Sequence, residues 1–222
     1  MADTLIISPE SGLKSFENYH IVYTKENKHI LQYERFHADM QVCAFDNNVI
    51  VPPCFYDYYQ KKLKGKNVIK GTTIPYGAYP NSVAYNVAVT DKYAICRQNI
   101  TDTVIVDKIL ASGREIINVK QGYSKCSVCS FGIGIITADK GIYKAISNKL
   151  PTLLIKPGFV GLSGCEYGFI GGASGFDGRL VFSGNIAEHP DFTKIDDFLE
   201  NMKIKYICMP GKLYDYGTLI FL

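Results

Sequence analysis

Apolar and polar positions recur along the chain in one fixed order. A short β-branched run is followed by a polar break of two or three residues and a second apolar run. A stretch with apolar residues at helical spacing comes next, then a third run that stops at glycine. The order is repeated from the strands containing Val42, Val87, Val128 and Leu180, and the copies end at Gly71, Gly122, Gly158 and Gly211. A repeat of roughly 40 residues cannot bury its own apolar face, so the copies must pack on one another.

The periodicity predicts four helices. The first covers 55–63. The second runs over 102–111, with Val104, Ile105 and Ile109 inward and Thr101 or Asp102 as N-cap. The third starts at Asp139, turns Ile142, Ala145 and Ile146 inward and stops before Pro151. The fourth starts near Pro190 with Phe192, Ile195, Phe198 and Leu199 as its stripe. Strands are predicted at Val49-Ile50-Val51, Tyr93-Ala94-Ile95-Cys96, 133–137 and Leu180-Val181-Phe182. Asp46-Asn47-Asn48, Thr90-Asp91-Lys92 and Asp177-Gly178 tolerate tight-turn dihedrals and read as hairpin turns. Leu5-Ile6-Ile7-Ser8 and His20-Ile21-Val22-Tyr23 read as strands before the first copy, and 216–222 as a strand after the last. The expected architecture is α/β: units at 37–71, 81–122, 123–158 and 168–211, with a fifth divided between 213–222 and 4–24, so that the termini close a ring without an exposed edge.

Composition narrows the class. The chain has 222 residues, 47% hydrophobic and 20% charged, with a net charge of +3. These values fit one folded domain over 1–222 rather than a disordered chain. Lys61, Lys62, Lys64 and Lys66 form the densest basic run, which reads as a solvated helix end; no nucleic-acid partner is expected. Met1-Ala2-Asp3-Thr4 has neither a basic nor a long apolar region, and no apolar run approaches the ~20 residues of a spanning helix. Seven scattered cysteines, an odd number, read as reduced thiols. A cytoplasmic protein without a membrane partner is expected, its oligomeric state undetermined.

Four stretches carry a family resemblance: Gly77-Ala78-Tyr79-Pro80-Asn81, the run 119–127, the run 136–142 and the glycine-rich 168–175. With them the chain resembles the pentein fold, the fivefold β/α propeller of the guanidino-group-modifying enzymes. These include arginine deiminase, agmatine deiminase and dimethylarginine dimethylaminohydrolase. More narrowly, it looks like an uncharacterised bacterial family assigned to that fold. The resemblance implies a pocket where a cysteine attacks a guanidinium carbon, a histidine serves as acid and base, and carboxylates hold the planar cation. The implied positions are largely changed. The last strand, near Asp215, has no cysteine. The histidine position falls on Tyr123 or Ser124. The Gly-Gly-Asp turn falls on Pro80-Asn81-Ser82. The acidic position of the first unit matches Asp39, beside His37.

Local constellations leave several readings open. Lys125-Cys126-Ser127-Val128-Cys129 sits at a turn expected to face the pocket; Cys126 beside a lysine could be a nucleophile, or both cysteines could be small core residues of a strand. Cys165, Cys208 and His189 could join them at a metal only if folding gathered them, and no metal or other cofactor is expected. Gly168 to Gly175 enters a strand rather than a helix, so Gly171 and Gly172 read as a tight bend lending N–H groups, not as a nucleotide cradle. His37-Ala38-Asp39 is read as a strand, which puts His37 and Asp39 on one side. Tyr76, Tyr79, Tyr85 and Tyr123 either line the pocket or pack between units.

The first functional reading is a non-catalytic, degenerate binder of a guanidino or amino-acid-like small molecule, through His37, Asp39, Asn81, Ser82, Ser124, Lys125, Gly171, Gly172 and Asp215. The second is a cysteine-dependent hydrolase or amidinotransferase-like enzyme with its nucleophile relocated to Cys126 and His37 or Lys125 as base. The third is a protein-interaction module, for which a ribosome-binding initiation factor of the same propeller shape is the precedent.

Overall fold

The computed structural model describes residues 2–12 and 16–222. β1 (Thr4–Ile7) and β2 (His20–Tyr23) open the chain. β3 (Cys43–Phe45), β4 (Asn48–Val51), α1 (Tyr56–Lys62) and β5 (Asn67–Lys70) follow, then β6 (Ala88–Val89), β7 (Tyr93–Cys96), α2 (Thr103–Ala111) and β8 (Glu115–Asn118). Next come α3 (Ser124–Ser127), β9 (Val128–Ser130), β10 (Ile135–Thr137), α4 (Lys140–Ile146) and β11 (Thr152–Leu154). β12 (Ser174–Phe176), β13 (Leu180–Phe182), α5 (Phe192–Asn201), β14 (Tyr206–Cys208) and β15 (Ile220–Phe221) complete the order.

These strands form five three-stranded sheets of one design. In each, an antiparallel pair is extended by a parallel third strand. β3-β4-β5, β6-β7-β8, β9-β10-β11 and β12-β13-β14 each reach the parallel partner through a helix, as a parallel crossover requires. The fifth joins the two ends of the chain: β15 runs antiparallel to β1, with Leu5 opposite Phe221, and β1 runs parallel to β2.

The helices begin where their caps allow. Asp102 accepts from Val104 N at the start of α2, and Asp139 accepts from Gly141 N and Ile142 N at the start of α4. α1, α2, α4 and α5 each turn their apolar stripe into a cluster shared by their own sheet and the one before it, and the sheets pack in succession. Phe45 and Ile50 of the first meet Tyr85 and Ala94 of the second. Ile95 meets Val128 and Ile135. Cys129 and Ile136 meet Leu180 and Phe182. Val181 meets Leu5 and Ile7. Ile6 and Ile220 return to Val42 and Val49. The apolar clusters thus link the sheets in cyclic order.

Three expectations need correction. His37 and Asp39 are not on a strand: His37 opens a 3-10 turn at Ala38–Met40. Cys126 lies in a single helical turn, α3, not in a strand. The last strand is two residues long, because Gly217 (φ 77°) and Thr218 (φ 71°) bend the preceding segment into the left-handed region.

Candidate functional site

Each sheet's first strand is preceded by a short irregular segment, and these segments meet. Asp39 lies ahead of β3, Asn86 ahead of β6, Cys126 ahead of β9, Gly172 ahead of β12, and Asp215 with Thr218 ahead of β15. Asn86 binds two neighbours at once. Its Oδ1 accepts from Lys125 N (2.7 Å) and Cys126 N (3.2 Å), and its Nδ2 donates to Asp39 O (3.2 Å) and Cys126 Sγ (3.0 Å). Cys126 Sγ donates to Asp39 Oδ2 at 3.1 Å, and Thr218 Oγ1 donates to the same oxygen at 2.7 Å. Gly172 N donates to Cys126 O (2.9 Å), while Gly172 O accepts from Thr218 N (2.8 Å). A side chain at Gly172 would stand 1.9 Å from Asp215 Oδ1, and one at Gly171 would stand 2.2 Å from Lys125 O, so both positions need the bare backbone.

Above this junction lies a chamber of about 190 Å³. Glu34, His37, Cys126 and Asp215 supply its polar lining, and Tyr33, Tyr123, Tyr167 and Phe169 its aromatic walls. Among the described residues no lysine or arginine lines it. Tyr123 is stacked between Tyr79 and Phe169, with ring centroids 5.5 and 6.0 Å away. A wider cleft of about 550 Å³ shares Tyr33, His37, Leu162 and Asp215 with the chamber.

The carboxyl groups are held by the fold. The Glu34 segment is tied by Gln41, whose amide donates to Lys25 O and Arg35 O while its carbonyl oxygen accepts from Tyr59 OH. Glu34 is 3% exposed; Oε1 accepts from Tyr123 OH at 2.6 Å, and Oε2 has no hydrogen-bond partner among the described residues. Ser82 Oγ is likewise buried without a partner there, and it lies close enough to Glu34 to lower that carboxyl's pKa. Burial raises the Glu34 pKa, and the Tyr123 hydroxyl opposes that. Asp215, 1% exposed, accepts from Phe169 N and Gly217 N, both at 2.9 Å, and His37 Nδ1 stands 3.9 Å from its Oδ1. Burial pushes the Asp215 carboxyl up to about 6, His37 draws it down and Asp39 adds to the rise. Asp39 Oδ1 is a further buried acceptor without a partner among the described residues.

The setting of Cys126 favours the protonated thiol. Burial, then Asp39 and Asp215, push its pKa well above the ordinary thiol value, and only the Asn86 contact opposes this. A thiolate is the nucleophile, and this setting opposes its formation.

The remaining expected residues divide. Asn81 is exposed in a turn, its N donating to Ala78 O. Ser124 is buried and donates to Gln121 O at 2.7 Å, a local turn contact. Lys125, half-buried, does not line the chamber; it lines a different cavity of about 300 Å³. Tyr85 packs between the first two sheets, and Tyr76 is exposed. Of the thiols considered for a metal, Cys165 lines the chamber and Cys208 is exposed, while His189 bonds Lys156 O and Asp191 N. Among the described residues no three His, Cys, Asp or Glu side chains are grouped to hold a metal.

Sequence reasoning missed Glu34, Asn86 and Thr218. Asn86 carried the one usable signal, a polar residue inside the apolar run Val83-Ala84-Tyr85-Asn86-Val87-Ala88.

A family model matches residues 8–220, nearly the whole chain. The chain belongs to a family of unknown function, DUF6873. No curated protein matches it. Membership in DUF6873 brings no assigned chemistry, so the chamber's own groups carry the functional argument. No helix among the described residues is long and apolar enough to cross a membrane.

Proposed function

We propose that this chain is a five-unit ring of the pentein type that binds a small cation, a guanidinium or amine, in the chamber at the ring's centre. The observation that carries the reading is the chamber's polarity. Glu34 and Asp215 line it and Asp39 lies beneath, while lysine and arginine are missing from its lining among the described residues. Tyr33, Tyr123 and Phe169 line it, and the negative face of an aromatic ring attracts a desolvated cation. Glu34 Oε2 is an acceptor awaiting a donor, and a guanidinium carries N–H groups in a planar fork. The chamber's volume suits the cationic head of a ligand rather than a whole amino acid; the shared cleft would take the remainder. The cyclic order of apolar clusters and the sheet shared by the two termini support the ring.

The test is a thermal-shift screen of guanidino compounds and amines against neutral and anionic metabolites. A ligand at ~100 times its dissociation constant stabilises by about 2.7 kcal/mol. Stabilisation confined to cations supports the reading; stabilisation by anions alone overturns it.

A second reading rests on one observation: Cys126 and His37 line the same chamber. An enzyme using Cys126 as nucleophile would label there with iodoacetamide faster than at exposed Cys54 or Cys208. In the binder, the protonated thiol labels last.

A further inference from the structure

Lys125 follows a different route from Cys126 beside it. Its side chain lines a cavity of about 300 Å³ that shares no residue with the chamber. Ala44, Val89, Phe176, Leu219 and Phe221 form the apolar part of its lining, and Asp46, Thr90, Asp91, Arg114 and Ser130 the polar part. Asp46 and Asp91, both exposed, lie on its solvent side. Arg114, the other cation there, is occupied: it grips Asp46 through two bonds of 2.8 and 2.7 Å and donates to Thr90 O at 2.9 Å. Among the described residues no ion pair includes Lys125.

We propose that Lys125 is a carbonyl-reactive amine, and that its cavity takes a small neutral aldehyde or ketone as an imine. Among the described residues no ion pair fixes Lys125 as an ammonium, and the apolar part of the lining favours the neutral amine. Burial lowers its pKa, partly offset by Asp39, Cys129, Cys43 and Cys126 around it. The free amine is the nucleophile. An anion is a poor occupant, because Asp91 repels it and Arg114 is already neutralised by Asp46. A neutral carbonyl meets neither obstacle. In the step, the nitrogen lone pair forms a bond to the carbonyl carbon and the carbonyl π electrons go to oxygen. Proton transfer gives the carbinolamine. Its hydroxyl leaves as water, taking up one proton while the nitrogen releases one, and the C=N bond closes. No oxidant or metal is required.

The test uses the folded, unmodified protein with limiting propionaldehyde and cyanoborohydride, which fixes an imine as a propyl amine. Peptide mass mapping then follows each lysine over time. Lys125 should be modified at least tenfold faster than exposed Lys64 and Lys108, and the preference should vanish in denaturant. A rate at Lys125 equal to or below theirs overturns the proposal. Excess acetate added as competitor should not protect Lys125; protection would mean an anion site and would also overturn it. Neither readout involves the chamber, so failure here leaves the cation reading untouched.

Discussion

Asp215 is the residue whose ionisation matters most to the proposed binding. Its folded-state pKa is raised to about 6 from 3.8, mainly by burial. A cation prefers the ionised form, so affinity should rise with pH through that value. At pH 5 about one carboxyl in ten is ionised, and binding should be about tenfold weaker than at pH 7. Calorimetric titrations at the two pH values check this; a flat profile would remove Asp215 from the site. The same shift affects folding with the opposite sense. The native state holds the proton more tightly than the unfolded chain between about 3.8 and 6, so this group's contribution to stability falls as pH rises across that window. Two further residue-scale effects follow from the junction. Thr218→Val removes the donor to Asp39 Oδ2 and should cost about 1–3 kcal/mol in urea denaturation, since it leaves a buried acceptor poorer. Gly172→Ala forces a methyl into Asp215 and should both lower Tm and weaken cation binding.

At the scale of elements, the second unit shows how one side chain fixes a helix and its neighbours. Asp102 caps α2 and also accepts from Thr72 N (2.8 Å) and Thr73 N (2.6 Å). Burial alone would raise its pKa, but the Thr73 and Thr72 donors outweigh that and hold it below 3.8. Its contribution is therefore present above 3.8 and lost as pH falls through the lower folded-state value. Asp102→Ala should cost at least the ~1 kcal/mol of a lost cap, read from the denaturation midpoint at pH 7 and shrinking at pH 3. Elements such as this were legible. Asp102 before Val104, Ile105 and Ile109 is a local pattern, and Asp46, Asp91 and Gly178 sit in turns that short-range chemistry specifies. The site was less so. Glu34 lies in an irregular segment with no periodicity. His37 and Asp39 resembled an alternating strand because a 3-10 turn of three residues leaves no mark in so short a stretch. Cys126 and Asp39 are 87 positions apart, and Thr218 and Asp39 are 179 apart, so only the assembled sheets bring them together.

For the whole molecule, the fifth sheet is the critical one. β15 supplies Ile220 to one apolar cluster and Phe221 to another, and both clusters join β1 to neighbouring sheets. Removing 219–222 should therefore destabilise the protein as a unit, with one cooperative transition at lower denaturant rather than local fraying. A transition unchanged in midpoint would show that the ends do not close the structure. The cyclic packing matters to the proposed binding because the chamber is lined by segments that precede several sheets. Fold and site should fail together when closure is lost, and the site should fail alone when a carboxyl is neutralised.

The most direct measurement is therefore calorimetric titration of agmatine into the wild-type protein, Glu34→Gln and Asp215→Asn at pH 7, with each variant's melting curve recorded alongside. The account predicts binding to the wild type and at least tenfold weaker binding to both folded variants, a loss of about 1.4 kcal/mol or more. Absence of binding by agmatine and other small cations, or equal affinity in all three proteins, would contradict it.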